Sequence, residues 1–144
     1  GWNGGGRVGL LENGIQRLRY TGKPWMMIDR AWVEPGALRL DFNFDLDTTS
    51  ISNPRAFKIA HWNYHWRAEY GSDRFSPSDD SPGEELLSIE RVECLDGKRS
   101  LRIHIPELRP VDQLHVEMSL ESSDGKAFTE EIYWTIHQIP SSAK

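Results

Sequence analysis

Apolar and polar residues alternate at every second position through most of this chain. In residues 37–44, Leu and Phe take one parity, and Arg, Asp and Asn take the other. Alternate side chains of a strand point to opposite faces, so this pattern predicts a strand with one apolar and one polar face. The same alternation predicts strands at 101–105, 114–120 and 128–136. Weaker apolar runs predict further strands at 15–20, 25–33, 56–66 and 86–95.

Turn signals separate these segments. Glu34-Pro35-Gly36 predicts a tight turn, and Asp-Gly pairs at 96–97 and 124–125 predict two hairpins. The polar stretch 70–85 predicts a long loop, and a loop of this length is expected to be either mobile or functional. Since no segment has a sustained helical period, we predict an all-β fold. Its architecture is expected to be an antiparallel Ig-like β-sandwich of about seven to eight strands.

The predicted sandwich occupies residues 25–139. Residues 1–24 are expected to form a Gly-rich lead-in and a junction strand from a preceding domain, because six glycines fall within the first 14 residues. Residues 140–144 are a short tail. The glycine-rich start suggests a domain cut from a larger protein.

Composition and net charge exclude several classes of function. Leu, Ile, Val and Phe make up 33 of 144 residues, so six Trp and four Tyr are needed to enlarge a small core. A net charge of −5 argues against nucleic acid as a partner, and no apolar run approaches the ~18 residues of a membrane span. The single cysteine, Cys94, excludes an internal disulfide and a cysteine-based metal cluster.

The aromatic segment 61–66 leaves two interpretations open. Trp62, Tyr64 and Trp66 share one strand parity, while two histidines and an asparagine take the other. The favoured interpretation places the Trp side in the core and the His side in solvent. The alternative exposes an aromatic strip, on which sugar rings stack through their C–H faces. Trp25 and Trp32 join the candidates, since their opposite parities prevent both from facing inward on one strand.

The two histidines of this segment also suggest a metal site. His61 and His65 would share the face of a helix, but on a strand they lie about 13 Å apart. One ion with metal–nitrogen bonds of about 2.1 Å cannot bridge that gap, so we predict no metal site and no cofactor here.

No catalytic residue is predicted. Cys94 lies in an apolar stretch without a neighbouring histidine, and no serine occupies a Gly-x-Ser-x-Gly turn. The acidic pairs 79–80 and 84–85 have the character of a solvated loop. Tyr133 and His137, which both point outward on the last predicted strand, are candidates for contact with a neighbouring domain.

Several motifs resemble one group of large secreted proteins from planctomycete-type bacteria. They are IQRLRYTGKP at 15–24, the segments 38–47, 53–59, 62–64 and 70–72, IPELRP at 105–110 and IYWTIH at 132–137. In those proteins a glucose/sorbosone-dehydrogenase-like β-propeller is followed by a β-sandwich, and many also carry a cytochrome c module. The resemblance implies an accessory domain in a secreted or periplasmic setting, and any redox chemistry would belong to the other modules.

The sequence therefore favours a non-catalytic accessory domain that contacts neighbouring domains of its parent protein. A carbohydrate-binding module that uses exposed Trp or Tyr is the alternative, with polysaccharide as its partner. A part of a haem or metal redox protein ranks last, because ligands for such a group are not evident.

Overall fold

The computed structural model describes residues 17–53 and 55–141. Within these residues the chain forms nine strands, one short α-helix and one turn of 3₁₀ helix at Asp96–Lys98. The strands are β1 (Ile28–Glu34), β2 (Ala37–Phe42), β3 (Phe57–Tyr64), β4 (Arg74–Phe75), β5 (Glu85–Leu86), β6 (Arg91–Leu95), β7 (Ser100–His104), β8 (Val111–Glu121) and β9 (Ala127–Ile136). The helix α1 spans Thr48–Ile51.

The strands form two antiparallel sheets. The first sheet has the order β1-β2-β7-β6, and the second has the order β4-β3-β8-β9, with β5 also paired to β3. The predicted all-β antiparallel sandwich is therefore confirmed. Two strands of two residues each, β4 and β5, bring the number to nine.

The core lies between the apolar faces of the two sheets. The apolar residues of the alternating strands are buried: Leu38, Leu40, Leu101 and Ile103 from the first sheet, and Leu114, Val116 and Met118 from the second, together with Ile59 of β3. Three Phe rings close one end of this core, with Phe44 and Phe128 at a centroid distance of 5.0 Å. The alternation in β2, β7 and β8 exists because these strands have one face on this core and the other on the outside of the sandwich.

Two predicted strands are wrong in detail. The run 86–95 divides into β5 in the second sheet and β6 in the first, because the chain crosses between the layers at 87–90. Leu87 holds this crossing segment against the core, because its side chain is buried and its N–H donates to the carbonyl of Ile59. Residues 17–27 form neither helix nor strand, and the rest of the predicted lead-in, residues 1–16, lies outside the described residues.

The turns follow their sequence signals. Gly97 has a φ of 67° between β6 and β7, and Gly125 has a φ of 78° between β8 and β9, in the region that favours glycine. The Asp47 carboxylate caps α1 by accepting a hydrogen bond of 2.7 Å from the N–H of Ser50. No helix in the described part of the chain is long and apolar enough to cross a membrane.

The long loop 70–85 folds back on β3. The N–H of Ser76 donates to the carbonyl of Ser81, and the N–H of Gly83 donates to the carbonyl of Arg74. Ser76 and Ser78 both donate their hydroxyl groups to the Glu85 carboxylate. These bonds hold β4 beside β3, which brings Arg74 close to the Trp62 side of the second sheet.

The outward face of the first sheet is mostly charged, with Trp32 as its aromatic residue. Glu93 on β6 accepts a hydrogen bond from Arg91 at 2.9 Å and lies 3.1 Å from the Nε2 of His104 on β7. The bond from Arg91 and then the contact with His104 hold the pKa of the Glu93 carboxyl at about 2, below its ordinary 4.5. Arg102 links this group to Glu34 on β1.

Replacing Leu101, which is fully buried, should lower the free energy of unfolding. We expect Leu101→Ala to cost about 2–5 kcal/mol, because the lost methyl groups leave a cavity between the sheets. Urea unfolding measures the loss. Leu86→Ala is the matched control, since Leu86 is 61% exposed and its loss should stay within about 0.5 kcal/mol. Equal losses for the two variants would contradict the assigned core.

Glu93 should make stability depend on pH in the acid range. A carboxyl whose pKa is lower in the folded state stabilises the protein above its unfolded pKa, and this contribution is lost as pH falls. We expect wild type to be more stable than Glu93→Gln at pH 6, and the gap to close between pH 4.5 and about 2. Urea midpoints across this range measure the gap. Glu69→Gln, a change of an exposed loop carboxylate, is the control, and a pH-independent gap for Glu93→Gln would contradict the assignment.

Candidate functional site

Aromatic side chains gather on the outward face of the second sheet. Trp62 and Tyr64 extend from β3, His115 from β8 and Tyr133 from β9; we call these four residues the aromatic face. The strand register brings them together, because His115 pairs with Ala60 on one side and with Tyr133 on the other. The face lies opposite the sandwich core.

Trp62 is the centre of the aromatic face and is 1% exposed. The Arg74 guanidinium lies 4.1 Å from the centroid of its indole, a cation–π contact. Tyr64, His115 and Tyr133 meet the indole edge-on, with ring centroids 6.3–6.5 Å away. Trp62 is thus buried on the outside of the sheet, in a small cluster separate from the main core.

His115 and Tyr133 form a stacked pair beside Trp62. Their ring centroids are 4.1 Å apart and their planes differ by 4°. The His115 Nε2 lies 2.9 Å from a Glu131 carboxylate oxygen, and the Tyr133 hydroxyl donates to the same oxygen at 3.0 Å. These two bonds, first that of His115 and then that of Tyr133, lower the pKa of Glu131. One carboxylate therefore fixes both rings.

The border of the aromatic face is charged and partly exposed. Arg74 pairs with Glu84 at 2.5 Å, and Lys58 pairs with Glu117 at 3.0 Å. Within this border Tyr64 is 43% exposed and Tyr133 is 50% exposed, and Leu86 on β5 is more exposed still. The surface thus offers apolar rings in the middle and charges of both signs around them.

The favoured interpretation of segment 61–66, which placed the Trp side in the core and the His side in solvent, is wrong. Trp62 and Tyr64 point outward, whereas His61 points into the sandwich and is fully buried. Both His61 ring nitrogens lack a hydrogen-bond partner in the described residues, and the nearest carboxylate, that of Glu85, is 3.6 Å away. Burial lowers the pKa of His61, which keeps the ring neutral near pH 7. Phe57 and Ile59 share the parity of His61, and this was the signal for its direction.

The aromatic strip continues no further than Tyr64. β3 ends there, and Trp66 is 93% exposed in the following loop. His65 bonds to Asp80 at 2.7 Å and stacks on Phe75 at 3.7 Å. His61 and His65 therefore occupy different environments, one in the core and one on the loop. Trp62, Tyr64 and Trp66 do not form one flat platform.

The remaining sequence-predicted residues lie elsewhere. Trp32 points outward on the first sheet, where the Arg39 guanidinium lies 5.4 Å from its ring. Trp25 precedes β1 and is 80% exposed at the edge of a cleft. Neither faces inward. His137 follows the end of β9 and is exposed beside a shallow pocket at the end of the second sheet, away from the Tyr133–His115 stack.

The sequence did not point to Arg74, Glu131 or Leu86. Arg74 comes from a loop without a strand pattern, and only tertiary pairing brings it to Trp62. The alternation gave the outward position of His115 but not its partner. The two adjacent acidic residues 130–131, in a strand with no other charged residue, were a usable signal for Glu131.

Comparison with known proteins identifies the fold. No protein-family model matches the chain, and no curated protein does. Among solved structures, PcoC, a copper resistance protein from Escherichia coli, matches with a TM-score of 0.53 and 16% identity, over 76% of this chain and 98% of PcoC. CopC from Methylosinus trichosporium OB3b matches with a TM-score of 0.43 and 18% identity, over 77% of this chain and 84% of CopC.

This chain has a PcoC-like β-sandwich fold. The match refines the predicted Ig-like architecture to a specific two-sheet arrangement. At 16% identity it shows the fold alone. These comparisons give no support to the planctomycete resemblance or to its multidomain setting, which stay predictions.

Removing the Arg74 side chain should open the Trp62 indole to water. We expect Arg74→Ala to increase quenching of Trp fluorescence by acrylamide and to lower the free energy of unfolding by about 0.5–2 kcal/mol. Arg67→Ala is the control, because Arg67 is an exposed arginine paired to Asp73. Unchanged quenching in Arg74→Ala would show that Arg74 does not cover the ring.

Proposed function

We propose that this chain is a non-catalytic interaction module that packs against another folded domain of its own polypeptide through the aromatic face. The observation that carries the proposal is the pair of half-exposed tyrosines, Tyr64 and Tyr133, around the covered Trp62. The partner is a protein surface with apolar groups opposite these rings and with charges opposite the border.

The composition of the aromatic face is that of a binding hot spot. Trp, Tyr and Arg are the residue types that contribute most to protein–protein binding, and they act best when a polar border keeps water away. Here Trp62 and Tyr133 lie at the centre, and Arg74 and the Lys58–Glu117 pair lie at the border. Exposed Leu86 extends the apolar area beside β3.

The tyrosine rings are also held before any partner arrives. Tyr133 is fixed by its stack on His115 and by its bond to Glu131, and Tyr64 packs edge-on against Trp62. Side chains that are already ordered lose little conformational entropy on binding. The charged border adds orientation, since both signs occur around the rings.

The same groups are unsuited to catalysis. His115 is 8% exposed, its Nε2 is bonded to Glu131 and its ring is covered by Tyr133. Cys94 is half-buried, and burial raises the pKa of its thiol, which disfavours the reactive thiolate. We therefore assign these residues to structure and binding.

Copper is not part of the proposal, although the matched PcoC is a copper resistance protein. Within residues 17–53 and 55–141, no three His, Cys, Asp or Glu side chains are grouped so as to hold a metal ion. No observation in this part of the chain favours the haem or metal redox alternative either. The exported setting suggested by the sequence resemblance stays part of the proposal.

Hydroxyl-radical footprinting with mass spectrometry tests the proposed contact. The 144-residue domain and its complete parent polypeptide are oxidised in parallel. We expect oxidation of Tyr64, Leu86 and Tyr133 to fall severalfold in the parent polypeptide, because the neighbouring domain covers them.

Tyr70, which is 98% exposed outside the aromatic face, is the internal control, and its reactivity should be equal in both forms. A Tyr64→Ala/Tyr133→Ala double variant of the parent should restore the reactivity of Leu86. Equal oxidation of Tyr64 and Tyr133 in the domain and in the parent would overturn the proposal.

A further inference from the structure

A cleft of about 530 Å³ lies apart from the aromatic face, between the segment that precedes β1 and the start of β9. Trp25 lines it from the segment before β1, Phe44 and Phe128 line it towards the core, and Lys126 and Glu130 line it from the β9 side. Its volume falls in the range of small-molecule sites, which combine apolar walls with a few polar groups.

Trp25 is held in place although its ring is open to solvent. The Asn43 side chain donates to the carbonyl of Trp25 at 2.8 Å and accepts from the N–H of Met27 at 3.0 Å. The N–H of Asn43 in turn donates to the carbonyl of Met27. Three hydrogen bonds thus fix the backbone under an indole that is 80% exposed.

The floor of the cleft is rigid because it belongs to the core. Phe44 contacts both Phe128 and Phe42, with ring centroids 5.0 and 5.4 Å apart, and Phe128 is only 5% exposed. A ligand in the cleft would therefore meet a preformed aromatic base.

The β9 side of the cleft is polar, and it includes a glutamate at a position where the alternation predicts an apolar residue. Glu130 pairs with buried Met118, so its register position belongs to the apolar face of β9, yet it is exposed and lines the cleft. Lys126 pairs with Asp124 at 2.6 Å on the same side. The cleft is thus lined by two carboxylate residues, a lysine and Thr129 in addition to the indole.

We propose that this cleft binds a carbohydrate chain. A sugar ring stacks its C–H face on Trp25, while its hydroxyl groups donate to the carboxylates and accept from Lys126. A nucleic acid or other polyanion is disfavoured, because Asp124 and Glu130 stand where its charge would lie. The inference concerns a different surface from the aromatic face and does not rest on the proposed domain contact.

Affinity gel electrophoresis tests the cleft directly. The domain is run through native gels that contain soluble xylan, mixed-linkage β-glucan, glucomannan or pullulan. We expect at least one polysaccharide to retard wild type, and Trp25→Ala to weaken that binding at least ~10-fold, which corresponds to about 1.4 kcal/mol. Glu130→Ala should weaken it too.

Two aromatic variants serve as controls. Trp66→Ala removes an exposed indole outside the cleft, and Tyr70→Ala removes an exposed ring outside both the cleft and the aromatic face; both should keep wild-type retardation. Urea midpoints check that each variant is folded. No retardation by any of the four polysaccharides overturns the proposal. So does a loss in Trp66→Ala or Tyr70→Ala that equals the loss in Trp25→Ala.

Discussion

The stack of Arg74 on Trp62 determines the outer surface of the second sheet. Without it, one face of the Trp62 indole would be open to water on the side away from the core. With it, the loop that carries Arg74 is held against β3. The neighbouring rings then pack against a covered indole. The stacked His115 and Tyr133 are then ordered by contact with Trp62 and by one carboxylate. The proposed interaction surface therefore depends on the burial of Trp62 beneath Arg74.

β3 also explains why this sheet has two apolar sides. Its inward residues, Phe57, Ile59 and His61, enter the main core, and its outward Trp62 enters the smaller cluster. Burial on both faces leaves polar groups without partners, since the ring nitrogens of His61 and the indole nitrogen of Trp62 have none in the described residues. β3 lies in the middle of its sheet, where such burial is tolerated because strands on both sides satisfy its backbone.

Most of the fold was predictable from residue alternation, whereas the site was predictable only in part. Leu38, Leu101 and Val116 were assigned correctly to the core because one face of each strand is apolar and the other polar. The direction of Trp62 was misjudged, since bulk in the core was favoured over the parity shared by Phe57 and His61. The contact of Arg74 with Trp62 could not be predicted, because it depends on the pairing of the two-residue strand β4 with β3 across a polar loop. Trp25 was identified as a candidate, but the cleft beside it depends on how β9 meets the end of the first sheet.

The adjacent glutamates of β9 affect more than the groups they contact. β9 is the edge of its sheet, and within the described residues no strand pairs with its outer side. Glu130 and Glu131 lie at the middle of that edge. If two copies of the domain joined antiparallel edge to edge about a two-fold axis at either glutamate, that glutamate would face its own counterpart in the other copy, and like charges directly opposite destabilise a sheet. The charges of β9 therefore disfavour fibre-like self-association through this edge. The aromatic face stays free for a different partner.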